Sequence, residues 1–136
     1  IRGLAAYTEE IRDRFMKLAI SYNINIITGS MPLIKEDGRL YNVGFLCRRD
    51  GSYDMYEKIH VTPDEMKSWG LSGGKALQTF ETDCAKIGVL ICYDVEFPEL
   101  SRIMADQGMQ ILFVPFLTDT QNAYSRVKVC AHARAI

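Results

Sequence analysis

The sequence predicts a layered domain of mixed helix and sheet, α/β or α+β, and three observations carry that expectation. Short apolar or alternating runs bounded by turn residues recur between Ile24 and Phe116, as strands do. Helical periodicity occupies residues 7–22 and 121–135, and a third helix is expected from Pro98. Strand hairpins mixed with helices that return to a sheet argue for layers and against a helix bundle.

Taken in order, residues 7–22 place Ile11, Phe15, Leu18, Ala19 and Tyr22 on one helical face, with Thr8 as its cap and Glu9 and Glu10 in the first turn. "INIITGS" (24–30) reads as a short β-branched strand closed by Gly29, and "KEDGR" (35–39) as a polar hairpin turn. Beyond it Tyr41, Val43, Phe45 and Cys47 alternate with less apolar partners, as in a half-buried strand, and "RDGS" turns the chain into "YDMYEK". From His60 to Lys75 the pattern breaks at Pro63, Trp69 and three glycines, which predicts a long loop with at most one helical turn. Strands are expected at 77–81 and 84–92. Pro98 suits the first turn of a helix ending near Gly108. "QILFVPF" (110–116) reads as a buried strand. The last helix groups Ala123, Val127, Cys130, Ala131 and Arg134 on one side.

Composition narrows the function classes. With 48% hydrophobic residues the 136-residue chain has material for a core, and 16 basic against 17 acidic residues give no electrostatic reason to expect nucleic acid or an anionic membrane. Arg48-Arg49, the only adjacent basic pair, suits a solvated strand end. No apolar run reaches the roughly 18 residues that would cross a bilayer, and no signal peptide is visible. The cysteines at 47, 84, 92 and 130 have no CxxC spacing, and His60 and His132 make no zinc-ligand pattern with them. Reduced thiols and a cytoplasmic setting are expected. A chain that starts at Ile1 and stops at Ile136 inside a helical pattern reads as an internal piece of a longer protein, here its central part.

The thiols separate by position. Cys47 lies on the apolar face of its strand and Cys130 on that of its helix, which predicts small buried hydrophobes, and Cys84 is read the same way. Cys92 ends the run Ile87-Gly88-Val89-Leu90-Ile91, where a strand gives way to a turn and then a helix. Such an elbow can expose a nucleophile beside backbone N–H groups able to hold an oxyanion, although position alone favours a core cysteine at a strand end. A thiol also needs a cation to favour thiolate and a base to move protons. Lys58 in "YEKIH", at a strand end before the long loop, is a candidate cation; Lys17, Lys35 and Lys67 read as ordinary solvated lysines.

"YEKIH" followed by "GVLICYDVEFPELSR" and a final Arg134-Ala135-Ile136 helix resembles the carbon–nitrogen hydrolase family, the nitrilase superfamily. The "KIHVTPDE…WGLSGG" loop is most similar to a branch sometimes joined to an acetyltransferase domain. The resemblance implies a four-layer αββα sandwich, incomplete in residues 1–136 because N-terminal and C-terminal strands of the single domain are missing, and a homodimer or higher homo-oligomer. It implies Cys92 as nucleophile, Lys58 as the lysine that stabilises the tetrahedral intermediate, the Tyr93 N–H in the oxyanion arrangement, and neither metal nor organic cofactor. Glu65, seven residues beyond Lys58, is the candidate for the family's second glutamate, and a solvated loop acid is its alternative reading. Asp94 and Glu99 read as structural, one in the turn and one in a helix first turn.

The chain departs from the family at the general base. Glu9 and Glu10 open a helix, Glu36 lies in a hairpin turn, and Glu57 points away from Lys58 on an alternating strand, so the main base is expected outside these residues. The activity implied for the whole protein is hydrolysis of a non-peptide C–N bond through a cysteine thioester, while the piece alone is expected to be inactive. Cys92-Tyr93-Asp94, where nitrilases tend to read Cys-Trp-Glu, favours small amide or carbamoyl substrates, and Trp69 and Tyr124 are candidate pocket residues that packing explains as readily. Two other readings stay open: a flavodoxin-like thiol amidotransferase with His132 as base, and a non-catalytic scaffold of the same fold.

Overall fold

The computed structural model describes residues 1–136, which divide into two compact units, Ile1–Ala76 and Leu77–Ile136. The first unit is built around one strand. Strand β3 (Leu40–Cys47) pairs antiparallel with β1 (Ile26–Ile27) and β2 (Met31–Ile34) along one edge. Along its other edge run β4 (Tyr53–Glu57), antiparallel, and β5 (Leu71–Ser72), parallel. Two turns set this register. The first, at 35–39, closes through Lys35 N–H to the Arg39 carbonyl (3.1 Å), with Gly38 in the left-handed region. The second closes through Arg48 N–H to the Ser52 carbonyl (2.8 Å).

The apolar face read from the sequence is buried: Tyr41, Val43, Phe45 and Cys47 cluster with Ala19. Leu40 and Leu46 are buried as well, so β3 is covered on both faces and not on one. Gly44 sits at the closest approach in this sheet. A Cβ there would lie 2.0 Å from the Gly29 carbonyl and 2.4 Å from the Tyr56 ring, whose hydroxyl donates to that same carbonyl (2.6 Å).

Helix α1 (Thr8–Tyr22) forms where periodicity placed it, but rotated from the expected face. Phe15, Met16 and Ala19 pack on the cluster, while Leu18 (43% exposed) and Tyr22 (70% exposed) face outward. The reason is Arg12. Its guanidinium lies over the rings of Tyr53 (4.8 Å) and Phe45 (5.8 Å), so a residue counted as polar faces the sheet. Thr8 is not the cap: it is fully buried, its hydroxyl donates to the Pro32 carbonyl, and a 3₁₀ turn (Arg2–Tyr7) leads into the helix instead.

The expected long loop after His60 contains helix α2 (Pro63–Trp69) and then β5. The helical turn expected there is α2, and β5 was not expected; Pro63 and Gly70 mark the helix ends, Pro63 at the first helical position and Gly70, with φ +69°, as the left-handed C-cap.

The second unit holds a three-stranded sheet in the order β6 (Phe80–Glu81), β7 (Lys86–Val89), β8 (Ile111–Phe113), antiparallel then parallel. These strands are shorter than expected. The 84–92 run breaks into β7 and a separate 3₁₀ turn (Cys92–Glu96), and Cys84 lies exposed in a bend before β7, not in the core. Helix α3 (Pro98–Asp106) crosses between the parallel strands, as Pro98 predicts. Strand β8 is not buried: it forms the edge, with Ile111 45% and Phe113 39% exposed. Helix α4 (Gln121–Arg134) follows, capped by Thr120, which accepts from Ala123 N–H (3.2 Å), and it buries Val127 as its periodicity requires. No helix is long and apolar enough to cross a membrane.

Candidate active site

In the first unit, Lys58 follows β4 directly and continues its pairing: its N–H donates to the Asn42 carbonyl (2.9 Å), and its own carbonyl accepts from Gly74 N–H (2.8 Å). The side chain is 2% exposed, which for a lysine demands a partner. Glu65 is that partner. Both carboxylate oxygens accept from Lys58 Nζ at 2.7 Å.

Glu65 is held in turn by the start of α2. Its Oε2 accepts from Thr62 N–H (2.7 Å), and Thr62 Oγ1 accepts from Glu65 N–H (3.2 Å), a reciprocal capping box. One carboxylate thus orders a helix terminus and neutralises a buried ammonium. The other lysines named above are different: Lys35 is not free but pairs with Glu57 and lies over the Tyr41 ring (4.4 Å), whereas Lys17 and Lys67 are exposed.

In the second unit, Cys92 opens the 3₁₀ turn with φ +50°, a left-handed conformation that a cysteine adopts only under constraint. The constraint is visible in its bonds. Cys92 N–H donates to the Pro115 carbonyl (3.0 Å), Asp94 N–H to the Ile91 carbonyl (3.1 Å), and Phe97 N–H to the Asp94 carbonyl (3.1 Å). The fully buried Asp94 accepts from Ile91 N–H at Oδ2 (3.3 Å), so it is structural, as its place in the turn suggested. Cys92 itself is half-buried. The Tyr93 N–H comes just ahead of the first hydrogen bond within the turn, and its ring meets that of Phe97 edge to face with centroids 5.1 Å apart.

The other thiols lack such an elbow. Cys47 is fully buried, and that burial pushes its pKa up, the reverse of what a nucleophile needs. Cys130 is half-buried on α4, and Cys84 is exposed.

Each sequence-predicted residue can now be placed. Lys58 and Glu65 are brought together in one ion pair, and Cys92 with Tyr93 stands at a strand-to-turn elbow. Glu9 and Glu10 are exposed on α1, Glu36 is exposed in its turn, and Glu57 is taken up by Lys35. His132 is exposed in the last turn of α4, Glu99 is exposed in the first turn of α3, and Trp69 and Tyr124 are 47% and 41% exposed. Tyr124 stacks at a tilt on Phe116 (5.8 Å). No group of three or more His, Cys, Asp or Glu side chains is placed to hold a metal ion.

What sequence reasoning missed was the role of Thr62. Its signal was present, because "TPDE" carries Thr, a proline at the first helical position and Glu three residues on. The positive φ of Cys92 had no such signal, since cysteine carries no preference for that region.

Comparison with known proteins follows the same residues. The model of one family, described as carbon-nitrogen hydrolase, matches residues 3–136. A probable hydrolase, YhcX of Bacillus subtilis, is 47% identical over 136 residues, covering 100% of this chain and 26% of the relative. Mouse omega-amidase NIT2 is 33% identical over 138 residues, covering 93% of this chain and 49% of the enzyme. The crystal structure of Saccharomyces cerevisiae Nit3, a member of branch 10 of the nitrilase superfamily, superposes with a TM-score of 0.83 at 28% identity, over 93% of this chain and 46% of that one. The chain therefore spans about half the length of these last two relatives, and about a quarter of the first.

Proposed function

The chain belongs to the carbon-nitrogen hydrolase family and has the α+β fold of nitrilase-superfamily structures, and from that premise we propose that it carries the nucleophile and the lysine of an amide hydrolase. The observation that carries the proposal is Cys92, held at φ +50° where β7 gives way to a turn, the conformation an exposed nucleophile requires.

In the proposed reaction the Cys92 thiolate attacks the amide carbonyl carbon. The tetrahedral oxyanion is stabilised by the Lys58 ammonium and the Tyr93 N–H, and the C–N bond breaks as the nitrogen takes up the proton that the general base had removed from the thiol and leaves as ammonia or an amine. Water, deprotonated by a general base, then attacks the thioester, releasing the acid and restoring the thiol. Glu65 fixes the position of the Lys58 side chain. The main base is a glutamate of the whole protein outside residues 1–136, which is why these residues alone are expected to show no turnover.

The omega-amidase activity named for the mouse relative supports an amide substrate. So does Cys92-Tyr93-Asp94 in place of the Cys-Trp-Glu of nitrilases. The family match supports this reading over the flavodoxin-like alternative with His132 as base. The proposal includes a small amide as the partner, a homodimer or higher homo-oligomer, a cytoplasmic setting and linkage to an acetyltransferase domain. Room for that linkage is supported by the relative of which this chain covers 26%.

The test is ammonia release from small amides by the full-length protein and its Cys92→Ala variant. The expected outcome is loss of turnover with an unchanged far-UV spectrum. Release at the wild-type rate from the variant overturns the mechanism, and release from neither protein points to the non-catalytic scaffold.

A further inference from the structure

The backbone bonds around Cys92 secure the start and centre of its turn, through Pro115, Ile91 and Asp94. The end of the turn is held differently. Arg134 Nε donates to the Val95 carbonyl (3.2 Å), and Arg126 Nε donates to Glu96 Oε1 (2.8 Å). Both arginines belong to α4, on either side of the buried Val127, and they grip two consecutive residues of the five-residue turn that Cys92 opens. Val95 between them is fully buried.

Stability alone is a poor explanation of this arrangement. The Arg126 side chain is 55% exposed, and ion pairs with an exposed arm add little to stability because water already solvates the charge. What a guanidinium adds is direction, since its N–H groups lie in a rigid plane. A left-handed cysteine relaxes unless its surroundings over-determine it, and relaxation would swing the thiol away from the reacting carbon.

We propose that α4 is a clamp on the nucleophile elbow, with Arg134 and the Arg126–Glu96 pair acting as positioning residues for Cys92. The inference deepens the reading of Cys92 as nucleophile and rests on it.

The experiment measures the second-order rate of Cys92 alkylation by iodoacetamide as a function of pH in the full-length protein, with the exposed Cys84 as an internal reference. Alkylation does not require amide hydrolysis, so the clamp and the hydrolase reading fail separately. The variants are Arg134→Met, Arg126→Glu and the charge swap Arg126→Glu/Glu96→Arg. Arg134→Met and Arg126→Glu are expected to slow Cys92 relative to Cys84 by about tenfold, within what a displacement near 1 Å costs a reacting group. Where amides are turned over, kcat should fall with KM little changed. The swap restores the ion pair with reversed polarity and should recover most of the Cys92 rate.

An unchanged Cys92-to-Cys84 ratio in both single variants overturns the clamp. A swap that melts at the wild-type temperature without recovering the ratio overturns it too. If Arg134→Met does not fold, the Arg126 series decides alone. Loss of amide turnover in every protein, with alkylation still following the clamp, sinks the hydrolase reading and leaves the clamp standing.

Discussion

Replacing Glu65 by Ala strands a lysine that water barely reaches. Lys58 is 2% exposed, and both of its short hydrogen bonds to Glu65 are 2.7 Å long. Removing one member of a buried ion pair leaves an uncompensated charge, a loss of about 3–5 kcal/mol. Against a typical domain stability of about 5–15 kcal/mol, that is a third or more of the total in many cases. Glu65→Gln keeps one carbonyl acceptor but no charge, and should cost about 1.5–3 kcal/mol, the worth of a hydrogen bond to a charged group. The double variant Lys58→Met/Glu65→Gln removes charge and partner together, so it should be more stable than Glu65→Ala although it carries one more substitution. Urea unfolding of the full-length protein reads these three and the single variant Lys58→Met as shifts in midpoint at constant slope. The reasoning is refuted if Glu65→Ala costs less than about 1 kcal/mol, below the range for a broken buried pair. It is refuted equally if the effects of Lys58→Met and Glu65→Gln simply add, because coupled partners must not.

Three further outcomes follow from other parts of the structure. Gly44→Ala should destabilise by roughly 3 kcal/mol or more, because its Cβ meets backbone at Gly29 and the Tyr56 ring well inside contact distance; a melting temperature equal to wild type would contradict the packing. Burial raises the Tyr56 phenol above its ordinary value of 10.0, so the unfolded chain releases that proton first. Its share of stability is whole below that value and is lost as pH rises towards the folded value. Tyr56→Phe should therefore flatten the alkaline fall in stability, at a cost near neutral pH of about 1 kcal/mol for the lost bond to Gly29, and an equally steep fall in both proteins would refute this. In native protein iodoacetamide should label Cys92 fastest and Cys47 slowest, since Cys47 is fully buried with its pKa pushed up; peptide mapping that finds Cys47 labelled as fast as Cys92 would rule this out.

Much of the candidate site's local geometry was legible in residue order. Lys58 at a strand end and Cys92 after an apolar run are local facts, set by alternation and by where that alternation stops. The helices at 8–22, 98–106 and 121–134 were legible for the same reason, because periodicity and proline act over a few residues. The rotated face of α1 was not. The Arg12 guanidinium lies there over two rings, and only the presence of Phe45 and Tyr53 on neighbouring strands makes that favourable. Nor was the exposure of β8, since "QILFVPF" has the composition of a covered strand and sheet order alone makes it an edge.

By itself, then, the sequence determined the main helices, the elbow and the residue types that could do chemistry, because these depend on neighbours in the chain. Glu65 could be read as a solvated acid or as a partner for Lys58 until α2 formed and its capping box turned the carboxylate onto a buried ammonium. The strain at Cys92 likewise belongs to the tertiary structure. No residue preference asks for φ +50° there; it stands among the bond from Cys92 N–H to Pro115 and those that tie Ile91 to Asp94.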